Sequence, residues 1–208
     1  MSGMKSLPLP DIMELMNKLP VKYQAILAIG VTTGCRITEI LSLRRFDLIA
    51  RDGKLKDKIS FIQLKTRKQK NGKNKVIHRK LSIPETWRPC ILQHLINEEN
   101  HGYDRPDDYV FRGKCGKPLS RLTVYAMFRS ILGEGYGTHF MRKTFSQEMF
   151  RFFLDENPRD PMRALELVRR ALQHARIDTT VRYLGINEES IENAQDKIFN
   201  QRGNHETE

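Results

Sequence analysis

The chain has 208 residues, enough for a core of its own and for one domain with at most a small appendage. Lys and Arg outnumber Asp and Glu 36 to 25, giving a formal net charge of +11, and an excess of that size points to a polyanionic partner, either nucleic acid or an anionic membrane surface. No run of about 18 apolar residues exists and the first ten residues hold no apolar signal core, so neither a transmembrane helix nor a signal peptide is expected.

Pro10 and Asp11 open a helix with Ile12, Leu15, Met16 and Leu19 at helical spacing, and Pro20 closes it. A strongly apolar helix is expected over residues 21–32, broken by Gly34. A third starts near Ile37, with Ile40, Leu41 and Leu43 on its buried face. Arg36 therefore falls in a tight turn between two packed helices, where a charged side chain points at something specific or at solvent. Next comes a β-hairpin: Ile59, Phe61, Ile62 and Leu64 form the first strand, Asn71-Gly72 the turn, and Val76, Ile77, Leu81 and Ile83 the second. Lys65 stands at the exit of the first strand.

The charge is concentrated here. Residues 51–80 hold twelve Lys or Arg and two Asp, a local net charge of +10, leaving +1 for all the rest. Such a patch grips phosphates with a steep salt dependence; the plainer alternative is a solvated basic hairpin. Arg67, Lys68, Lys70, Lys73 and Lys75 are the candidate nucleic-acid-contacting residues within it.

A helix with Trp87, Ile91, Leu92, Leu95 and Ile96 follows from Glu85, then a loop over residues 101–108 and a short extended piece at Tyr109-Val110-Phe111. Ser120 reads as the N-cap of a helix to about Leu132, with Leu122, Tyr125, Ala126, Phe128 and Ile131 facing inward. Gly133, Gly135 and Gly137 make a loop without a dinucleotide fingerprint. A helix over residues 138–154 carries His139 and Arg142 three apart on one face of its first turn, at an end whose free N–H groups suit an anion. Phe140, Met141, Phe145, Met149, Phe152 and Phe153 are its expected buried side. Asp160 and Pro161 start another helix with Leu165, Val168 and Leu172 inward, and His174 ends it. Asp178 is expected to cap a last short helix bearing Thr179, Thr180 and Tyr183. Residues 188–199 form an amphipathic helix and residues 201–208 a disordered tail.

Cys35, Cys90 and Cys115 are odd in number and scattered, which suits reduced thiols in the cytoplasm better than disulfides or zinc. The sequence has no paired acid/base carboxylates, no Gly-x-Ser-x-Gly, no phosphate-binding loop, and no acidic cluster for a divalent metal. The residues left to carry chemistry are Arg36, Lys65, His139, Arg142, His174 and Tyr183. Each has a plain alternative: the arginines as structural ion-pair formers, His139 as a helix-start residue, His174 as a surface residue, Tyr183 as a half-buried aromatic, and Lys65 as one lysine among several. Glu39 either pairs with Arg36 or merely lines its helix.

Four blocks carry a resemblance to the tyrosine recombinases, the phage integrase family. Residues Thr33 to Leu43 resemble the box around that family's first arginine, here Arg36. Leu64-Lys65-Thr66 resembles its hairpin lysine, and His139-Phe140-Met141-Arg142 its His-x-x-Arg box. Leu172-Gln173-His174, with Tyr183 nine residues on, resembles its final box. The likeness spans residues 9–187. Gln173 stands where the family usually has Gly, and the 32 residues from Arg142 to His174 are more than the family's usual spacing.

The resemblance implies a mainly α fold with a small antiparallel β-hairpin, a catalytic domain over residues 1–187, and a C-terminal helix and tail over 188–208. Most of that family carry an N-terminal core-binding domain, and the expected organisation departs from this in having none, with a size similar to small single-domain fimbrial-inversion recombinases; a fragment of a longer chain is the alternative. The implied activity is site-specific cleavage and rejoining of duplex DNA through a 3′-phosphotyrosyl link on Tyr183. Arg36 and Arg142 would clamp the phosphate, His139 act as base, His174 bond the phosphate, and Lys65 protonate the 5′-oxygen. Because the phosphotyrosyl link conserves the bond, no cofactor or metal is expected. The implied partners are double-stranded DNA, further copies in a dimer or tetramer, and possible accessory DNA-bending proteins, in the cytoplasm with no membrane association, the chain being encoded by a prokaryotic cell or by a phage or mobile element. A non-catalytic DNA-binding protein of this fold and a type IB topoisomerase-like relaxing activity are the alternatives.

Overall fold

The computed structural model describes residues 5–68 and 74–184, with side chains described for 5–62 and 79–184. It divides into two compact units, Met1–Phe145 and Ser146–Glu208.

The first unit opens with α1 (Leu9–Lys18) and α2 (Val21–Thr33). Ala25 to Val31 are buried on every side of α2, as an all-round apolar sequence requires of a central helix. Gly34 ends α2 in the left-handed conformation at φ 62°, and its N–H donates to the Gly30 carbonyl at 3.0 Å. The short helices α3 (Ile37–Leu41) and α4 (Arg45–Leu48) follow. The sequence reading has no counterpart to α4, since one helical turn is too short to show periodicity.

The sheet is an antiparallel pair, β1 (Lys58–Lys68) and β2 (Asn74–Ser82). Its ladder runs from Lys58 opposite Ser82 to Leu64 opposite Val76, and it then slips before Lys68 meets Asn74. Ile59 and Phe61 are buried, whereas Ile62 between strand faces is 40% exposed, the alternation that a half-buried strand dictates. β1 is longer than expected, so Lys65 lies inside the strand, in the slipped stretch, rather than at its exit. The expected Asn71-Gly72 turn lies outside the described residues.

A single 3-10 turn (Glu85–Trp87) leads into α5 (Arg88–Asn100). Tyr109 and Arg112 make isolated bridges to Arg44 and Pro118 instead of a strand. α6 (Arg121–Leu132) is capped as expected: the Ser120 hydroxyl accepts the Thr123 N–H at 3.1 Å. Its buried face is Val124 and Phe128, while Leu122 is 70% exposed and Tyr125 and Ile131 also lie outward. Two stripes of α6 satisfy helical spacing. The aromatic pair of Phe128 with Phe140 takes the inner one, and the Tyr125 hydroxyl stays outside to accept a hydrogen bond from Arg129. One core joins these elements from Leu7 to Met141.

α7 (Phe140–Glu156) begins in the first unit and runs on into the second. Phe140 and Met141 are buried, but Phe152 is outward against the edge of Phe153. In the second unit α8 (Pro161–Leu172) starts at Asp160, whose carboxylate accepts the Arg163 N–H at 2.9 Å, with Pro161 in the first turn. Ala164, Val168 and Leu172 form its buried stripe. α9 (Ile177–Leu184) begins one residue before Asp178, so Asp178 sits in the first turn and does not cap it; its carboxylate instead accepts from Arg176. The expected helix at 188–199 and tail at 201–208 lie outside the described residues.

Candidate active site

In the first unit the turn between α2 and α3 presents Arg36. Its backbone N–H donates to Glu39 Oε2 at 2.8 Å and its guanidinium Nη1 to Glu39 Oε1 at 3.2 Å. Glu39 is buried while the Arg36 side chain keeps 41% of its surface exposed. The carboxylate therefore anchors the stem of an arginine whose head still faces solvent.

His139 immediately precedes α7, and its carbonyl accepts the Lys143 N–H at 3.0 Å, so it occupies the N-cap position. Arg142, one turn on, is 1% exposed and donates through Nη1 to the Gly34 carbonyl. Burial holds the His139 imidazole below its ordinary pKa, and the cations of Arg142, Arg36 and Arg121 push the same way. The contact of Arg142, one turn on from His139, with the carbonyl of Gly34, two residues before Arg36, brings Arg36, His139 and Arg142 into one neighbourhood, with Glu39 tied to Arg36. The arrangement suits an anion held by guanidinium forks beside a neutral imidazole able to accept a proton.

Of the basic candidates, Lys65, Arg67 and Lys68 lie on β1 and Lys75 on β2. Lys70 and Lys73 lie outside the described residues, as do the side chains of the other four.

In the second unit Gln173 turns the chain left-handed after α8, at φ 55° and ψ 38°. His174 follows, buried, with its backbone N–H donating to the Arg169 carbonyl at 3.0 Å and its carbonyl accepting from Arg169 Nη1 at 2.8 Å. Arg169 is itself paired to Glu166 at 2.6 Å, and Arg169 and Arg170 together hold the Glu166 carboxyl at about 2. His174 Nδ1 and Thr180 Oγ1 share a hydrogen bond of 3.1 Å. Tyr183 lies three residues beyond Thr180 on α9, and its ring centre is 5.0 Å from that of His174. The unit thus gathers a fixed imidazole beside a half-buried phenol.

Two cations near the first cluster were not singled out from the sequence. Arg121 opens α6 and carries no distinguishing sequence signal. Arg79 alternates with Leu81 and Ile83 along β2, and that period of two is a signal that it shares their inward face. Among the described residues no group of three His, Cys, Asp or Glu side chains could hold a metal ion, and no helix is long and apolar enough to cross a membrane.

The model of the phage integrase family matches residues 4–190. The chain belongs to that family. Among curated relatives of this integrase-family chain, a probable integrase/recombinase of Bacillus subtilis, YoeC, is 26% identical over 190 residues, covering 89% of this chain and 88% of that protein. Transposase A of transposon Tn554 from Staphylococcus aureus is 24% identical, over 81% of this chain and 45% of the transposase. Among solved structures, the XerA recombinase superposes with a TM-score of 0.61 at 18% identity, over 95% of this chain and 66% of that one. The XerH site-specific recombinase, solved on a palindromic difH substrate after cleavage, gives 0.58 at 20% identity over 93% and 53%. The chain thus spans roughly half to two thirds of these solved chains. The likeness bears out the mainly helical recombinase fold with one small antiparallel sheet.

Proposed function

We propose that this integrase-family chain is a tyrosine-type site-specific DNA recombinase. The observation that carries the reading is the pairing of His174, just beyond α8, with Tyr183 on α9, with the imidazole fixed by Thr180. The guanidiniums of Arg36 and Arg142 beside a neutral His139 support it from the first unit. XerH, solved with its cleaved DNA, and the transposase and integrase relatives support DNA as the substrate.

Tyr183 Oη attacks the scissile phosphorus and forms a P–O bond as the bond to O5′ breaks. The phenol proton passes to His139, and Lys65 gives a proton to the departing O5′. Arg36 and Arg142 hold the non-bridging oxygens, whose charge spreads in the transition state, and His174 donates to the same phosphate. A 5′-hydroxyl from another strand reverses the step, so the exchange is balanced without a further reactant. A phenol is a weak nucleophile until its proton is taken, and the cationic setting around the phosphate assists its attack. The chain acts in the cytoplasm on duplex DNA, as several copies on one site, and Arg67, Lys68, Lys70, Lys73 and Lys75 supply phosphate contacts.

The test is a suicide substrate from the native locus, nicked beside the candidate site and assayed for an SDS-resistant protein–DNA adduct. An adduct that Tyr183→Phe abolishes, with DNA binding retained, is the expected result. Salt-sensitive binding with no adduct from the wild-type chain would replace this reading with a non-catalytic DNA-binding protein. Relaxation of any supercoiled plasmid without site preference would replace it with a topoisomerase-like activity.

A further inference from the structure

Arg79 lies directly opposite Phe61 in the β1–β2 ladder. Residues opposite one another in an antiparallel pair project to the same face, and Phe61 is 1% exposed. An arginine thus stands at an inward position of the hairpin, in line with Leu81, which pairs with the fully buried Ile59. Its guanidinium Nη2 lies 3.5 Å from the Thr33 carbonyl. The next carbonyl along the chain, that of Gly34, takes Arg142 Nη1. Two guanidiniums from different elements therefore meet consecutive carbonyls at the C-terminal end of α2, where the helix dipole is negative and orphan carbonyls need donors. The same turn is closed from within by the Cys35 N–H donating to Thr33 Oγ1 at 3.2 Å. One residue further stands Arg36, tied to Glu39. Burial lowers the Arg79 pKa, and the titratable groups that act on it are Cys35, Glu39 and Arg36, all in this turn and the helix it opens.

We infer that Arg79 is a positioning residue for the phosphate clamp, holding from β2 the turn that carries Arg36. The inference rests on the reading of Arg36 and Arg142 as phosphate ligands. It gives the hairpin a second task besides presenting Lys65: the strand partner of the lysine's own strand also sets the backbone from which the first arginine projects. A purely structural Arg79 would stabilise the fold without acting on Arg36, and the two are separable.

The experiment uses the full chain with Arg79→Met, which keeps the apolar stem, and Arg79→Lys. The Arg36 Nε–H NMR signal, assigned by its loss in Arg36→Lys, is followed in the DNA-free protein, and cleavage is followed on the suicide substrate. Arg79→Met is expected to displace the Arg36 signal and slow cleavage about 10- to 100-fold, the scale of a misplaced reacting group, with DNA binding and cooperative melting retained. Arg79→Lys is expected to restore part of the rate. In an Arg36→Lys background, Arg79→Met is expected to cost much less than it does alone. An unmoved Arg36 signal or a wild-type cleavage rate in Arg79→Met overturns the inference. Should Arg79→Met not fold, Arg79→Lys decides, because a point charge replaces a planar fork: signal and rate both at wild-type values overturn it. If the wild-type chain forms no adduct, the proposed function fails instead, and the Arg36 signal alone decides whether Arg79 holds the turn.

Discussion

Glu39 holds Arg36 at two points, one oxygen on its backbone N–H at 2.8 Å and the other on its guanidinium at 3.2 Å. The first contact caps α3 and the second aims the side chain. Glu39→Ala removes both and is expected to lower stability by about 1 kcal/mol, the usual scale of a lost cap, while cutting cleavage at least about tenfold through misplacement of Arg36. Glu39→Gln keeps a carbonyl acceptor for the N–H and is expected to recover most of the stability. Urea unfolding and adduct formation on the same two variants check this. Equal stability losses in both would show that charge, not capping, is what Glu39 supplies.

His139 and His94 give folding a defined pH dependence. Burial is the main cause lowering both imidazoles; Arg142, Arg36 and Arg121 add to it at His139, and His94 is enclosed with its Nε2 on the Val110 carbonyl at 2.8 Å. The unfolded chain takes up protons as pH falls through about 6.5, whereas the folded chain resists them until lower pH. Stability is therefore full above that range and is lost as pH falls through it toward the folded values. Urea midpoints between about pH 7 and pH 5 are expected to decline. His139→Asn flattens the decline in part, leaving the share from His94. The acid limb of the cleavage profile is expected below the free-imidazole value, and Arg121→Gln is expected to move it upward. A limb that ignores Arg121 would remove that cation from the field at His139.

Gly34 is constrained twice. Its φ of 62° suits glycine, and a Cβ there would lie 2.4 Å from Phe145 Cδ1. Gly34→Ala is expected to cost about 2–4 kcal/mol, combining left-handed strain with overpacking against the Phe145 ring. Because the Gly34 carbonyl receives Arg142, cleavage should fall along with stability. Thermal melting of Gly34→Ala, alone and with Phe145→Leu, checks it. The double variant is expected to recover the stability lost to the clash but not that lost to the strain.

The local grammar of the sequence reached much of this fold. Ser120 and Asp160 cap α6 and α8 as their side chains dictate, Pro20 and Gly34 bound α2, and Asn71-Gly72 announced a hairpin whose two strands are present. What was not legible depends on tertiary choice. α6 offers two stripes at helical spacing, and only packing of Phe128 on Phe140 selects one. The end of β1 depends on a ladder slip that no period of two reveals. At the site, the motif blocks named Arg36, His139 and Arg142 but were silent on Arg79, whose inward place shows only in its alternation with Leu81 and Ile83, a faint signal inside a basic stretch that reads as surface charge. The tie from Arg169 to the His174 carbonyl was equally hidden, since it joins a helix side chain to a backbone atom beyond the helix end.

Gln173 adopts φ 55° where the resemblance leads one to expect glycine. A side chain in that region costs about 1 kcal/mol. Gln173→Gly is therefore expected to raise stability by up to about that amount, reduced by the greater freedom of glycine in the unfolded chain. The Arg169 contacts to His174 fix the same turn from outside, so cleavage should be unchanged. Calorimetric melting with an adduct assay checks both. A loss of cleavage without a loss of stability would mean that the Gln173 side chain itself serves the reaction.

The basic segment is expected to set the salt dependence of binding. Residues 51–80 hold a net charge of +10, and Lys70, Lys73 and Lys75 cluster around Asn71-Gly72. Each phosphate contact contributes about 0.9 to the slope of log K against log salt on duplex DNA. If the three lysines each engage a phosphate, their joint replacement by Gln lowers the slope by about 2.7 and weakens binding to all sequences alike. Arg36→Gln is expected to change the slope by no more than one contact, since a single arginine engages a single phosphate. Titrations from low to moderate salt on cognate and unrelated duplexes, in the Tyr183→Phe background, separate the two effects. An unchanged slope in the triple variant would identify the hairpin as a solvated basic loop and move the phosphate contacts elsewhere on the chain.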